Sequence, residues 1–165
     1  TGVGNRRGFV EHLGHDWHVA AYTRQPLSLI ALDVDSFKAY NDHYGHPAGD
    51  ACLQQVAGIL RDRLAQQQGA GECLLARTGG EEFAVLLRGV DAAGARRLAE
   101  ALRQSVADTA IAHSQSPVAD RVTISLGVAS AKPQTGDDPQ SLVARADAAL
   151  YRAKAAGRNR VVADA

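Results

Sequence analysis

Methionine is absent from the 165 residues of this sequence, and cysteine occurs only twice, as Cys52 and Cys73. Because translation begins with methionine, we expect the sequence to be a module of a longer protein. The two cysteines have no metal-ligand or disulfide spacing, so we interpret them as small, partly buried thiols of a reducing compartment. We therefore expect the domain in the cytoplasm, with the full-length protein either free or tethered to the inner membrane.

Long apolar runs and a net charge are also lacking. No run approaches the roughly eighteen apolar residues of a membrane-spanning helix, and no charged segment followed by an apolar one marks an export signal. Lysine and arginine number 18, and aspartate and glutamate also number 18. Without a net field to attract nucleic acid or a membrane surface, we expect neither as a direct partner, and any phosphate site must be local.

What is present is the composition of one globular domain. Hydrophobic residues make up 45% of the chain and charged residues 22%, which is sufficient for a single core at this length. The sequence has no internal repeat and no low-complexity segment. We therefore expect residues 1–165 to form one domain.

Hydrophobic periodicity predicts the order of helices and strands. Helices are predicted over residues 5–22, from Pro47 to the loop QQQGAG, from Ala95 to Val106, and over residues 139–156 with Gly157 as the terminal cap. Strands are predicted over residues 27–34, 73–77, 81–88, 122–128 and 160–163, the first as a central strand covered on both faces. This order indicates an α+β fold of the split βαβ type, ferredoxin-like or palm, whose antiparallel-containing central sheet has flanking helices on one face.

The stretch RTGGEEF, residues 77–83, places two glycines and two glutamates in front of an apolar strand. Gly79 and Gly80 are expected to supply the positive φ of a tight hairpin. Glu81 and Glu82 repel each other and add nothing to a core, so a plain turn gains nothing from them. A bound divalent ion reverses the local electrostatics, and we therefore interpret the pair as part of a metal site.

The stretch DVDSFKAYNDHYGHPAGD, residues 33–50, concentrates acids, amides and glycines where the first buried strand leaves the sheet. We expect Asp33 and Asp35 to point to opposite faces, so that only one of them shares a site with the hairpin. A split βαβ sheet places the first strand beside the hairpin, which brings Asp33 near Glu81 or Glu82. Oxygen ligands without His or Cys favour a hard cation such as Mg²⁺, whose remaining ligands are waters and phosphate oxygens.

Other interpretations of these residues are weaker. An isolated D-x-D pair is usually a solvated strand end. A calcium loop is excluded, because Lys38 replaces the glycine and Tyr44 the glutamate that such a loop requires. His12, His15 and His18 share a helix face at three-residue spacing, which we interpret as an exposed helix surface and not as a metal site.

Five segments in a fixed order carry these chemical groups. They are TGVGNRRGF at the start, DVDSFKAYNDHYGHPAGD, RTGGEEF, SLGVA at residues 125–129 and ADAALYRAKAAGRNR at residues 146–160. Together they resemble the GGDEF family of diguanylate cyclases, in its GGEEF form, over essentially the whole chain. The resemblance implies an enzyme of bacterial signalling.

The resemblance implies roles for individual residues. Asp33 and Glu81 would bind Mg²⁺ through their carboxylates and Val34 through its backbone carbonyl, with two ions per site allowed and Mn²⁺ as a substitute. Glu82 would assist the metal or the deprotonation of the attacking hydroxyl. Lys38 joins the two glutamates in the implied catalytic set.

A second implied group binds the substrate. Asn41 and Asp50 would recognise guanine, since a carboxylate accepts two parallel hydrogen bonds from the ring N–H and the exocyclic amine, a pattern that adenine lacks. The other implied nucleotide contacts are His46 in the guanine pocket, Lys38, Lys154 and Arg158 on the triphosphate, and Gly79 and Gly80 where the backbone approaches the nucleotide.

These roles imply condensation of two GTP into cyclic di-GMP and pyrophosphate, by attack of a 3′-hydroxyl on an α-phosphate. Since each domain holds one GTP, catalysis implies a two-fold homodimer, and an upstream sensory region is the expected source of control. A catalytically silent sensor of GTP or cyclic di-GMP, and a dimerisation scaffold, are the alternatives. Ala70 and Cys73 replace the ends of the family's inhibitory Arg-x-x-Asp, so we do not expect product inhibition through that site.

Overall fold

The computed structural model describes residues 3–67 and 71–164. Its elements, in chain order, are α1 (Arg6–Thr23), β1 (Leu27–Val34), α2 (Phe37–Tyr44), α3 (His46–Ala65), β2 (Cys73–Arg77), β3 (Glu82–Arg88), α4 (Ala92–Thr109), β4 (Ile124–Ala131), α5 (Gln140–Ala155) and β5 (Val161–Ala163). Every predicted helix and strand is observed, with ends that differ by a few residues. The helix α2 is an addition to the predicted set.

The strands form a sheet in the order β2-β3-β1-β4-β5. β1 pairs antiparallel with both β3 and β4, β2 pairs antiparallel with β3, and β4 pairs parallel with β5. The predicted α+β class with an antiparallel-containing central sheet is therefore confirmed. β1 is the middle strand, as its continuous apolar run predicts.

Helices cover both faces of this sheet, so the expectation that they lie on one face is wrong. Ile30 and Leu32 of β1 belong to a core formed with α3 and α4. Leu29 and Ala31, which alternate with them, belong to a second core formed with α1 and α5. Because all eight residues of β1 are buried, a helical layer on each side is what the sequence of this strand requires.

Gly127 allows α5 to lie directly on β4. A Cβ atom built at this glycine would be 2.2 Å from the backbone nitrogen of Leu150 and 2.3 Å from the carbonyl oxygen of Ala146. No side chain fits into such a gap between strand and helix backbones. This close approach determines how the last turn of α5 reaches the end of β1.

The helix α2 is short and has few apolar residues, which is why periodicity did not reveal it. Phe37 and Tyr40 are its buried residues, and their rings stack with centroids 6.0 Å apart. Gly45, with φ of 90°, ends α2 and begins α3. The polar segment after β1 is therefore a compact pair of helices.

Capping residues stand at the start of α1 and after the end of α5. Asn5 caps α1 by accepting a hydrogen bond from the Gly8 N–H at 2.9 Å. Gly157 follows the last residues of α5 with φ of 121°, as a terminal glycine does.

Within residues 3–67 and 71–164, no helix combines the length and apolar character needed to cross a bilayer.

Candidate active site

The end of β1 lies beside the glutamates of the β2–β3 hairpin. Asp33 is directly opposite Glu82 in the β1–β3 register, and the Val34 N–H donates to the Glu81 carbonyl oxygen at 3.2 Å. Asp33 is 4% exposed, Glu81 is half-buried and Glu82 is exposed. The structure thus brings together the acidic residues that the sequence places about fifty positions apart.

The environment of Asp33 disfavours its ionised form. The pKa of Asp33 is raised to about 6: burial raises it most, the hydrogen bond and charge of Lys154 lower it, and the charges of Glu81 and Glu82 raise it. Lys154 Nζ lies 2.5 Å from Asp33 Oδ2. Lys154 therefore supplies a positive charge that favours the ionised form of this carboxyl.

The donor atoms at this site fit a hard divalent cation. Carboxylate oxygens of Asp33 and Glu81 and the backbone carbonyl of Val34 are ligands of the kind that Mg²⁺ takes. In the part of the chain that is described, no group of three or more His, Cys, Asp or Glu side chains is arranged to hold a metal ion. Such a site depends on backbone, water and substrate oxygens for the rest of its ligands.

The hairpin glycines do not have the backbone conformation that the sequence predicts. The described glycines with positive φ are Gly45, Gly89, Gly136 and Gly157, so the expectation of positive φ at Gly79 and Gly80 is wrong. A Cβ at Gly79 would lie 2.5 Å from Glu82 Oε2, whereas one at Gly80 would meet nothing within 4 Å. Gly79 therefore makes room for a glutamate side chain.

Arg77 is a residue of the hairpin whose role the sequence analysis missed. Its guanidinium donates to the Gly80 carbonyl oxygen from Nε at 2.9 Å and from Nη2 at 2.6 Å. Arg6 of α1 donates to the Thr78 carbonyl oxygen at 3.3 Å. These bonds hold the turn that presents Glu81 and Glu82. The arginine that begins RTGGEEF is the feature of the sequence from which this role could have been predicted.

Asp35 does not lie on the opposite side from Asp33. Asp35 lies just beyond the end of β1, and it accepts hydrogen bonds from Ser125, the register partner of Asp33 on β4, and from the Asn159 N–H just after α5. Both carboxylates therefore lie on the α5 side, and the expectation of opposite faces is wrong. They differ in their partners: Asp33 contacts a lysine, and Asp35 is enclosed by neutral donors.

The residues predicted to recognise guanine lie on the α2–α3 pair. Asn41 is on α2, and His46 and Asp50 are exposed in the first turns of α3. Asn41 Oδ1 is buried and, among the described residues, receives no hydrogen bond. A Cβ at Gly49 would be only 1.7 Å from this oxygen. The amide of Asn41 therefore packs against α3 next to Asp50, and its oxygen is buried without a hydrogen-bond donor among the described residues.

The predicted phosphate-binding cations lie on three separate segments. Lys38 is exposed in the first turn of α2, Lys154 is half-buried in the last turn of α5, and Arg158 is exposed in the turn beyond it. The structure brings Lys154 to Asp33. It leaves Lys38 and Arg158 exposed at the surface.

A cavity of about 320 Å³ lies between α1, α5 and the sheet. Glu82 and Lys154 line it together with Arg6 and Asp147. Desolvation and the neighbouring charge of Glu82 raise the pKa of Asp147, and Arg6 lowers it. Because none of the predicted guanine-binding residues lines this cavity, we do not identify it with the nucleotide site.

Four further sequence expectations concern residues outside this site. His12, His15 and His18 are exposed on α1, as the surface interpretation predicts. Cys52 is buried and Cys73 is exposed, and both are free thiols, so neither has the intermediate burial that was expected. Cys73 begins β2, and Ala70, the other end of the altered inhibitory motif, is outside the described residues.

Comparison with known proteins begins with the family match. Residues 1–160 match the family described as "Diguanylate cyclase, GGDEF domain". "Diguanylate cyclase A" of Treponema denticola is 40% identical over 152 residues, which cover 92% of this chain and 38% of that protein. The chain spans 34–43% of the length of the curated relatives it matches.

Two solved structures are similar over nearly the whole chain. The GGDEF domain of DgcB from Caulobacter crescentus, in complex with c-di-GMP, matches with a TM-score of 0.86 and 36% identity, covering 99% of this chain and 90% of that one. The active GGEEF domain of a diguanylate cyclase from Vibrio cholerae matches with a TM-score of 0.84 and 33% identity, covering 99% and 98%. On these sequence and structural matches, the chain belongs to the GGDEF-domain family of diguanylate cyclases.

Proposed function

We propose that this domain condenses two GTP molecules into cyclic di-GMP with release of pyrophosphate. The observation that carries the proposal is the position of Asp33: a buried carboxyl, opposite Glu82 in register, whose pKa is raised to about 6 by burial. A protein gains no stability from such a cluster of acids, so a cationic ligand is the expected reason for it. Relatives named as diguanylate cyclases make GTP the expected substrate.

Asp33, Glu81 and the carbonyl of Val34 would hold Mg²⁺, or Mn²⁺ in its place. When bound, the ion neutralises phosphate charge and makes the ribose 3′-hydroxyl more acidic. Glu82 is exposed beside Asp33 and is the residue from which we expect help in removing the hydroxyl proton. Arg77 and Arg6 keep the hairpin carbonyls in place during this step.

The remaining residues would bind and orient the nucleotide. Asn41 and Asp50 offer acceptors for the N–H groups of guanine, and His46 would line the same pocket. Lys38, Lys154 and Arg158 would neutralise the triphosphate. Lys154 also pairs with Asp33. Its ammonium would therefore lie between the carboxylates and the phosphates.

Two domains are needed for the reaction. One domain holds one GTP, so the 3′-hydroxyl of each must attack the α-phosphorus of the GTP in a facing copy, with pyrophosphate leaving in line. Such an arrangement has two-fold symmetry. We therefore propose a homodimer as the competent form, brought together by a sensory region upstream of this domain, and a slow or inactive isolated monomer.

The test is GTP turnover by the purified domain at concentrations high enough for pairing. With Mg²⁺, we expect chromatography to show conversion of GTP, but not ATP, into a cyclic dinucleotide. Glu81→Gln should abolish this product. Glu72→Gln, a matched change of an exposed glutamate at the opposite end of the same hairpin, should leave it unchanged.

Two results would change the proposal. If a dimeric sample binds GTP and returns it unchanged, the domain is a sensor of GTP or cyclic di-GMP. If neither nucleotide binds, the acidic cluster has no nucleotide function and the scaffold alternative is favoured.

A further inference from the structure

We propose that Asp35, the second carboxylate of the D-V-D segment, is a positioning residue that fixes the turn carrying Arg158 and thereby sets the domain's affinity for the β- and γ-phosphates of GTP. The inference rests on the proposed function, in which Arg158 binds the triphosphate. It assigns a role to an acidic residue that the metal site does not use.

Asp35 is one of the least accessible charged residues in the described structure. It is 2% exposed, and both of its carboxylate oxygens accept hydrogen bonds. Oδ1 accepts from Ser125 Oγ at 2.6 Å, and Oδ2 accepts from Thr123 Oγ1 at 2.7 Å and from the Asn159 N–H at 3.0 Å. Because its oxygens are occupied by protein donors, Asp35 is an anchor and not a metal ligand.

The turn that Asp35 holds has an unfavourable backbone conformation. Gly157, Arg158 and Asn159 follow one another with φ of 121°, 66° and 46°. Glycine adopts positive φ freely, whereas positive φ is sterically unfavourable for arginine and less so for asparagine. Two such residues in succession persist only where the surrounding structure holds them.

Hydrogen bonds hold the backbone on both sides of Arg158. On one side, its own N–H donates to the Ala153 carbonyl oxygen at 3.0 Å and the Gly157 N–H donates to the Lys154 carbonyl oxygen at 3.3 Å, which fastens the turn to the end of α5. On the other side, the Asn159 N–H donates to Asp35. Without Asp35 the second restraint is lost, and the N–H of the half-buried Asn159 loses its charged acceptor.

The side chain of Asn159 adds a further contact on the same side. Its Oδ1 accepts from Arg103 Nη1 of α4 at 3.0 Å. Asp35 is in turn tied to β4, since its own N–H donates to the Thr123 carbonyl oxygen at 2.9 Å. The turn that carries Arg158 is therefore held by the end of β1, by β4 and by α4, and Asp35 contributes a hydrogen bond to its backbone at Asn159.

A double-mutant cycle between Asp35 and Arg158 tests this inference. Affinities of the domain for GTP, GDP and GMP are measured by calorimetry, with Mg²⁺ and again with EDTA. Asp35→Ala is expected to weaken GTP binding roughly tenfold, the scale of one charge-assisted hydrogen bond, and to change GMP binding by less than about twofold. In the Arg158→Ala background, Asp35→Ala should cost less than about twofold, because positioning an absent arginine has no effect.

Ser125→Ala is the matched control. It removes one hydrogen bond from the same buried carboxylate and leaves the Asn159 N–H bonded. It should lower the melting temperature while leaving GTP affinity within about twofold of wild type, since binding does not depend on that hydroxyl. If Asp35→Ala does not fold, Asp35→Asn keeps an acceptor for the Asn159 N–H and should show a weaker loss with the same dependence on Arg158.

Three results would overturn the inference. They are an unchanged GTP affinity in the Asp35 variants, an equal loss of affinity for GTP and GMP, and a loss that persists undiminished in the Arg158→Ala background. A loss seen only with Mg²⁺ would also overturn it, because Asp35 would then act through the metal site. A wild-type domain that binds no GTP would instead refute the proposed function itself.

Discussion

Lys154 Nζ lies 2.5 Å from Asp33 Oδ2, so the last turn of α5 brings a positive charge to the carboxyl at the end of β1. Even with this ammonium beside it, burial raises the pKa of Asp33 to about 6. If Asp33 binds a metal ion as we propose, a proton, a lysine and the ion would compete for the same oxygen atoms. This competition makes the site sensitive to pH and to substitution of the lysine.

The contribution of Asp33 to the stability of the folded domain should fall as the pH rises from about 4 to about 6. The pKa of Asp33 is raised from its ordinary value of 3.8 to about 6, so the folded state holds this proton more tightly than the unfolded chain, and ionisation favours unfolding. Asp33→Asn removes the titration. It should stabilise the domain at pH 7 by about 1 kcal/mol, less than the full shift implies, because solvent at the edge of the site screens the charges.

Urea denaturation of wild type and Asp33→Asn at pH 4 and pH 7, without added metal, measures this effect. The variant's advantage should be present at pH 7 and small at pH 4. Asp50→Asn, a matched change at an exposed carboxyl, is the control. An advantage of equal size at both pH values would mean that Asp33 does not titrate as described.

Lys154→Met should shift the pH dependence of GTP turnover. Because the lysine's hydrogen bond and charge lower the pKa of Asp33, their loss raises that pKa, and a higher pH is then needed to ionise the carboxyl for metal binding. At limiting Mg²⁺, the rising limb of the rate profile should move to higher pH. The KM for GTP should also rise by roughly tenfold, because a phosphate contact is lost.

Arg152→Met is the control for this change, since Arg152 is an exposed cation in the same last turn of α5. Neither its rate profile nor its KM should move appreciably. Initial rates from pH 5.5 to pH 9, with the product separated by chromatography, provide both readouts. If the two variants behave alike, Lys154 contributes only general positive charge.

Gly127→Ala should separate α5 from the sheet. The new Cβ would lie 2.2 Å from the Leu150 nitrogen, and since the obstacle is backbone, the helix must shift. We expect a loss of about 3 kcal/mol, at the upper end of what overpacking usually costs, and weaker GTP binding as Lys154 moves. Gly14→Ala on α1, where a Cβ meets nothing within 4 Å, should instead stabilise the domain by about 0.5–1 kcal/mol.

Chemical denaturation of the two variants at one pH decides this prediction. A Gly127→Ala protein as stable as wild type would show that α5 can move away without loss. The packing of that helix would then not determine the position of Lys154.

Gly49→Ala should reduce discrimination between GTP and ITP, which lacks the exocyclic amine of guanine. A Cβ at Gly49 would overlap the Asn41 amide, 1.7 Å from Oδ1, and would displace the side chain that we propose to bind the base. We expect GTP affinity to fall roughly tenfold, the scale of losing a recognition hydrogen bond at a buried acceptor, and ITP affinity to fall less. Competition binding measures both.

Gly58→Ala lies on the same helix, where the nearest obstacle to a Cβ is the flexible end of Arg61 at 3.8 Å. It should leave both affinities unchanged and tests whether alanine in α3 is itself harmful. An equal loss for GTP and ITP in Gly49→Ala would show that Asn41 does not recognise the amine.

Much of the site could be predicted before the structure was known. The continuous apolar run of β1 indicated a central strand, and a central strand in a split βαβ sheet must lie beside the hairpin; the proximity of Asp33 to Glu82 follows from those two steps. The misses concern side-chain direction and small helices. The helix α2 has two buried residues, too few for a periodic signal, and the partners of Asp35 lie 88 to 124 positions away along the chain.

The sequence by itself determined the type and order of the helices and strands, the family, and the set of acidic, amide and basic residues available for chemistry, because periodicity and short motifs are local properties of the chain. Only the tertiary structure decided that helices cover both faces of the sheet, that Gly79 makes room for Glu82, and that Lys154 reaches Asp33. Those relationships depend on how closely backbones approach one another and on where side chains point once packed. Neither quantity is written in the spacing of residues along the chain.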